Sequence, residues 1–267
     1  MDMGNKGKRS FFSMIKCGLV SITFRNLEPR QIVKLAARTG LDGIEWGGDI
    51  HVPHGDVQRA RDVYQMTVDA GLSVLSYGSY YRIGEKDADS FEAVLETAGE
   101  LHTNMIRVWA GRYGSSEACA TYREQVVNDS QRIAELACAR DMTLAYEYHP
   151  GTLTDTDESV VRLLKETAHP CMKTYWQIFD DRNPDASLKV ILPWLANVHV
   201  FYRRERQHLM LWEGAWLWRR LMSVIHSTGR DHAVLIEFVK DGSLDMFMRD
   251  AETLIHLISG AGVVSDK

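Results

Sequence analysis

Met142-Thr143-Leu144-Ala145-Tyr146-Glu147-Tyr148-His149-Pro150-Gly151 is the stretch from which the rest of the chain is read. A short apolar run ends in a carboxylate and an imidazole and then turns at Pro-Gly. That is the pattern of a buried strand delivering polar groups at its C-terminal end. Side chains alternate along a strand, so Thr143, Ala145, Glu147 and His149 share one face, and Met142, Leu144, Tyr146 and Tyr148 the other. Three later runs finish the same way: Tyr175-Trp176-Gln177, Asn197-Val198-His199 and Val234-Leu235-Ile236-Glu237. If such strands close into a barrel, Glu147, Gln177, His199 and Glu237 converge on one point, a candidate metal site.

Outward from that stretch, short apolar runs alternate with segments of helical period. Before it, strands are expected over 18–22, 42–46, 72–77 and 105–109; after it, over 173–177, 197–201 and 233–237. Helices are expected over 29–39, 57–70, 90–101, 122–140, 158–167, around 188–192, and over 212–228 and 244–259. This repetition, with no linker or low-complexity block, predicts a single-domain (β/α)8 TIM barrel over residues 13–267. A doubly wound open sheet would want a glycine-rich phosphate turn after its first strand, and Ser21-Ile22-Thr23-Phe24-Arg25 is not one. Residues 1–12, with Lys6, Lys8 and Arg9 before Phe11-Phe12, read as a disordered leader outside the domain.

The net charge of −5 and pI near 6.1 do not favour phosphate polymers or anionic membranes as partners. No apolar run reaches the ~18 residues of a membrane span. Cys17, Cys119, Cys138 and Cys171 show no CxxC pairing and no close spacing to histidine. Their pattern argues against a disulfide scaffold and structural zinc, and suits a reducing, cytoplasmic location. Trp212, Trp216 and Trp218 recur near helical spacing, as for a helix packed on the barrel or on a neighbouring subunit of a homo-oligomer.

In such barrels the reactive groups sit at the C-terminal strand ends, which here supply Glu45, Glu147, His149, Gln177, His199 and Glu237. Taken singly, each has a bland explanation: a salt-bridged glutamate, a hydrogen-bonded core histidine, an unremarkable glutamine. On four successive strand ends they form an oxygen-rich set with one imidazole, suited to Mn²⁺, Mg²⁺, Co²⁺ or Zn²⁺. Around them, Glu45, Asp49, His51 and His54 lie in a glycine-containing stretch at the second strand end, with Glu45 and His54 the stronger candidates for substrate contact. The bland alternative there is an ordered loop capped by Asp56. His149 is placed to hydrogen-bond substrate or a ligand carboxylate. Asp180, Arg203 and Arg204 are candidates for holding hydroxyls or a phosphate, and Trp46, Trp109 and Trp176 for stacking on a sugar face.

Glu147, the polar residue on strand six, His199 and Glu237 resemble the ligand set of the sugar phosphate isomerase/epimerase family, within the xylose-isomerase-like barrel superfamily. The stretches Gly43-Ile44-Glu45-Trp46-Gly47-Gly48-Asp49, Glu147-Tyr148-His149-Pro150-Gly151-Thr152-Leu153-Thr154-Asp155 and Tyr175-Trp176-Gln177 strengthen the resemblance, which covers nearly all the chain after the leader. Members usually carry Asp on strand six, where this chain has Gln177. An amide oxygen remains a competent ligand, with a changed metal preference.

The resemblance implies one divalent metal and proton transfer beside the carbonyl of a keto sugar or sugar phosphate, through an enediolate. Glu147 and Glu237 then act as the acid/base pair from opposite sides. A metal-dependent lyase that dehydrates a keto-cyclitol or sugar acid is the second reading. A sugar-binding barrel without turnover and an apurinic-site nuclease are weaker, the nuclease because more histidine and acidic ligands and a basic footprint would be needed.

Overall fold

The computed structural model describes residues 15–85, 90–179 and 183–260; the leader expected over 1–12 and Asp180 lie outside them. Eight parallel strands close into a barrel. Seven of them are β1 (Ile15–Val20), β2 (Gly43–Gly47), β3 (Ser73–Arg82), β4 (Met105–Trp109), β5 (Thr143–Tyr146), β6 (Met172–Trp176) and β7 (Leu195–Val200). A two-stranded hairpin, β8 (Tyr202–Arg204) and β9 (Gln207–Leu209), precedes the last barrel strand, β10 (His232–Ile236), which pairs with β1 and β7. Around the barrel run α1 (Pro29–Ala37), α2 (Val57–Asp69), α3 (Phe91–Glu100), α4 (Ala120–Cys138), α5 (Asp157–Thr167), α6 (Pro184–Ile191), α7 (Ala215–His226) and α8 (Leu244–Gly260).

Two apolar layers follow from strand alternation. One face of each strand packs on the helices, in a core that includes Leu19, Ile44, Trp46, Ile106, Leu144 and Val198. The other fills the barrel with a smaller cluster of Val20, Ile22, Ala145, Tyr175, Ala196, Ala233 and Leu235. The helices begin where local chemistry starts them. Pro29 at the start of α1 follows a Glu28/Gln31 capping box, Asp56 accepts from the Arg59 amide to cap α2, and Thr156 accepts from Ser159 to cap α5.

Three departures from the sequence reading have physical reasons. The first strand begins at Ile15, before the expected residue 18, because Ile15, Lys16 and Cys17 already pair with His232, Ala233 and Val234 of β10, the polar Lys16 lining a cavity at the opposite, N-terminal mouth of the barrel. It ends at Val20, where residues 21–24 form a 3-10 turn and the Ser21 hydroxyl accepts from the Gly47 amide. The hairpin β8–β9 has strands of only three residues and turns at Glu205-Arg206, both at positive φ (50° and 66°), without the Asn-Gly signature of such turns. Cys138 and Cys171, 33 residues apart, form a disulfide with Cα atoms 5.8 Å apart, against the cysteine reading. The end of α4 and the start of β6 meet only once the barrel closes. Cys17, whose thiol lies 3.2 Å from an Asp42 oxygen, and Cys119 take no part in a disulfide.

Replacing Cys138 with Ser is expected to cost about 3–4 kcal/mol under oxidising conditions, from the closed loop length. Denaturant unfolding with and without reductant checks this, the reduced wild type and the variant coinciding.

The tryptophan-rich segment divides. Trp218 is buried, donating to the Phe201 carbonyl at 3.0 Å, while Trp212 and Trp216 stay 60% and 57% exposed. Among the described residues no helix is long and apolar enough to cross a membrane.

Candidate metal centre and catalytic cavity

The turn after β5 is built by its own hydroxyls. Gly151 adopts φ +71°, and the chain folds back so that Thr152 donates to the His149 carbonyl at 2.8 Å and Thr154 donates to that of Glu147. The Glu147 amide continues the ladder to Val108 at 2.8 Å, and that of Glu237 reaches Val200 at 3.1 Å, so both carboxylates ride on sheet geometry.

Glu147, His199 and Glu237 are all buried, and each offers a ligating atom such that the three atoms lie within 4.8 Å of one another. His199 Nδ1 lies 3.0 Å from Glu237 Oε2 and Nε2 lies 3.6 Å from Glu45 Oε1, and neither ring nitrogen completes a hydrogen bond among the described residues. Gln177 donates its amide nitrogen to the Tyr148 carbonyl at 2.6 Å, which leaves its carbonyl oxygen as the end not used in that bond.

Beneath this trio lies a group that the sequence did not mark. Arg107, fully buried on β4, donates Nε to Glu45 Oε1 at 2.8 Å and pairs through Nη1 with Glu147 Oε2. Gly78 makes room for it: a Cβ there would lie 2.5 Å from Arg107 Nη2. Ser76 donates to the other Glu45 oxygen at 2.7 Å.

The electrostatics follow from burial and charge. Burial works against the Glu45 carboxylate, but Arg107 and His199 overcome it and hold the group well below the usual carboxylate range. Glu237 is likewise lowered against its burial, by His199 and then Arg107. Burial would depress the His199 imidazole, but Glu237 and Glu45 outweigh it and lift its pKa to about 10. Ligation of a cation would require His199 to give up its proton, and with the ring neutral Glu45, Glu147 and Glu237 set against the one guanidinium of Arg107 leave two negative charges. A divalent cation would neutralise that, and the donor set of two carboxylates and one imidazole fits such an ion.

Removing the Arg107 charge, as in Arg107→Met, is expected to leave two buried carboxylates uncompensated and to cost about 3–5 kcal/mol. Denaturant unfolding measures this; an unchanged midpoint would contradict the bridging role.

Above the trio opens a cavity of about 310 Å³ at the C-terminal end of the barrel. Glu147, Gln177 and Glu237 line its depth, with Tyr80, Trp109, Phe179 and Phe201 among its walls. Arg25, Arg203 and His208 add basic groups, Arg25 being held by Asp49 at 2.5 Å and by the Tyr80 hydroxyl at 3.2 Å. Tyr80 and Phe238 both line it at positive φ (59° and 61°), backbone strain of the kind that clusters at functional sites.

The remaining sequence candidates sort by position. His149 and Arg203 line the cavity, Arg203 from β8 with its guanidinium 5.6 Å from the Phe201 ring. Arg204, next on β8, is exposed. Glu45 does not reach the cavity, because both its oxygens are engaged by Arg107 and Ser76 below the trio. Trp46, its neighbour on the strand, points to the opposite face and donates to Thr67 of α2 at 3.2 Å, so it belongs to the core. Trp176 is core for the same reason, donating to Ser187 of α6 at 3.0 Å. His54 lies on the loop tied to α3 through the Gly55–Thr97 bond and does not line the cavity. His51 is buried against the Ser21 hydroxyl at 2.9 Å. Trp109 lines the cavity, but its ring stacks on His149, centroids 4.3 Å apart, and carries the Arg82 guanidinium at 4.0 Å. Its faces are therefore occupied by protein.

A barrel with these polar strand ends defines a class, and residues 33–256 match the model of the xylose isomerase-like TIM barrel family. The chain belongs to that family. It is 29% identical over 198 residues to a 3-dehydroshikimate dehydratase of Bacillus anthracis, spanning 69% of this chain and 71% of that one. The crystal structure of the probable 3-DHS dehydratase AsbF, involved in petrobactin synthesis in Bacillus anthracis, superposes with a TM-score of 0.76 at 24% identity, covering 90% of this chain and 98% of that one. D-psicose 3-epimerase with D-tagatose from Clostridium cellulolyticum H10 gives 0.70 at 14%, covering 91% and 98%. A xylose isomerase-like barrel from Mycobacterium smegmatis in complex with magnesium gives 0.76 at 12%, covering 93% and 98%. These superpositions establish the shared fold.

Proposed function

We propose that this protein is a divalent-metal-dependent dehydratase of a cyclic β-hydroxy ketone bearing a carboxylate, of the 3-dehydroshikimate type. The observation that carries the reading is the state of Glu147 and His149, which both line the cavity. Glu147 has one oxygen committed to Arg107, and ligation of a metal would take the other, leaving no lone oxygen to shuttle a proton. His149 has its Nδ1 2.6 Å from the Pro150 carbonyl. A carbonyl only accepts, so Nδ1 carries the hydrogen and Nε2 keeps its lone pair. One base on one side suits elimination; inversion of a carbon needs two on opposite sides. The 29% identity to a 3-dehydroshikimate dehydratase supports the same choice, and so do the basic groups of the cavity, which suit a carboxylate.

In this reading Glu147, His199 and Glu237, with the Gln177 carbonyl, hold the cation. When bound, it draws electron density from the ketone oxygen and acidifies the adjacent C–H. His149 Nε2 takes that proton. The C–O bond to the β-hydroxyl then breaks, and the same proton passes from Nε2 to the departing oxygen, giving water. Enolisation of the ring yields a dihydroxybenzoate.

The enediolate isomerase or epimerase is the second reading, favoured by the placement of Glu147 and Glu237 in one cavity, each with a ligand atom within 4.8 Å of one on His199. Incubation of the metal-loaded protein with 3-dehydroshikimate separates the two. The dehydratase produces an ultraviolet-absorbing catechol carboxylate. Solvent deuterium uptake into a keto sugar or sugar phosphate, with no aromatic product, would instead establish the epimerase.

A further inference from the structure

Trp109 closes β4 in register with Arg82 of β3, where the pairing is interrupted by an irregularity between Gly78 and Arg82. Tyr80, inside that irregularity, sits at φ +59°, and Ser79 ties it to β4 by donating to the Arg107 carbonyl at 2.8 Å. The bulge brings the Arg82 guanidinium over the Trp109 ring, Cζ 4.0 Å from the centroid, with Nη1 donating to the Gly111 carbonyl at 3.2 Å. His149, beyond the end of β5, stacks on the same indole at 4.3 Å and 29°. β3 and β5 flank β4 on opposite sides, so the guanidinium and the imidazole approach the indole from opposite directions. Trp109 Nε1 is buried and has no hydrogen-bond partner among the described residues. The indole is thus located by what lies on its faces, not by its N–H, although a buried Trp usually finds a partner.

We infer that Arg82 and Trp109 are positioning residues that set the plane and tautomer of the His149 imidazole, with Trp109 serving as a spacer between two protein groups and not as a platform for substrate. The inference rests on the reading of His149 as the base. A planar cation on one face fixes the indole, the indole fixes the tilt of the imidazole, and the Pro150 carbonyl fixes its rotation. Nε2 is then presented to the cavity before substrate arrives.

The test uses Arg82→Met, Arg82→Lys, Trp109→Phe and Trp109→Leu in the full chain, read by steady-state kinetics on 3-dehydroshikimate and by ¹⁵N NMR of the His149 ring with Mg²⁺ present. Arg82→Met is expected to lower kcat about tenfold with KM held within about twofold. Arg82→Lys, which keeps a cation over the ring, recovers part of the loss, and Trp109→Phe, which keeps an aromatic face, stays closer to wild type than Trp109→Leu. In the NMR spectrum the wild-type ring carries its proton on Nδ1, and Arg82→Met mixes the tautomers. Unchanged kcat and ring signals in Arg82→Met would overturn the inference, as would a rise in KM at constant kcat. A wild type that forms no aromatic product refutes the dehydratase reading alone, since the ring signals test the positioning whatever the reaction.

Discussion

Glu237→Gln is expected to lower divalent-metal retention and turnover together, by about a thousandfold or more in kcat/KM. Glu237 enters the cavity from the end of β10 on a sheet-paired backbone, and its Oε2 lies 3.0 Å from His199 Nδ1. The substitution removes a ligating charge without changing the shape of the side chain. It also removes the main group that raises the His199 pKa, so the ring loses its strongest electrostatic partner. Metal titration of the purified variant and kinetics over a metal series read the two effects. His199→Ala should chiefly weaken metal retention, and saturating metal should restore part of its activity. Near-normal turnover by Glu237→Gln at ordinary metal concentration would remove the carboxylate from the centre.

The second large effect separates chemistry from metal binding. His149→Phe keeps a ring to stack on Trp109 but has no lone pair, and kcat is expected to fall by about 10²–10⁴ while metal affinity stays within about twofold of wild type. A variant that turns over normally would pass the proton transfer back to the carboxylates, and with it the balance between elimination and epimerisation. The pairing of these two results matters: one variant loses ion and turnover, the other turnover alone.

The barrel was legible because its signal is repeated: each apolar run followed by a helical period adds to the same conclusion. Glu147, His199 and Glu237 stood out because each closes such a run. Arg107 did not. Between Ile106 and Val108 it reads as an ordinary inward position, and its partners Glu45 and Glu147 lie 62 and 40 residues away in sequence. The only local trace is Gly78 on the neighbouring strand, whose missing side chain is intelligible once the guanidinium is seen beside it. Glu45 and Trp46 were both nominated for the substrate, yet adjacent strand residues face opposite ways, so at most one could have reached it. Depth decided the rest. Glu45 sits too low in the barrel, and nothing in sequence encodes how far down a strand the cavity reaches. The Cys138–Cys171 pair and the hairpin bearing Arg203 and His208 are products of closure and of an unmarked turn, again invisible to local pattern.

The central claim is that one divalent cation is held jointly by Glu147, His199 and Glu237, and anomalous diffraction from crystals grown with Mn²⁺ tests it directly. The account predicts a single strong peak per chain within ligand distance of all three side chains. A peak elsewhere, or none at this cluster with Mn²⁺ in excess, would contradict it.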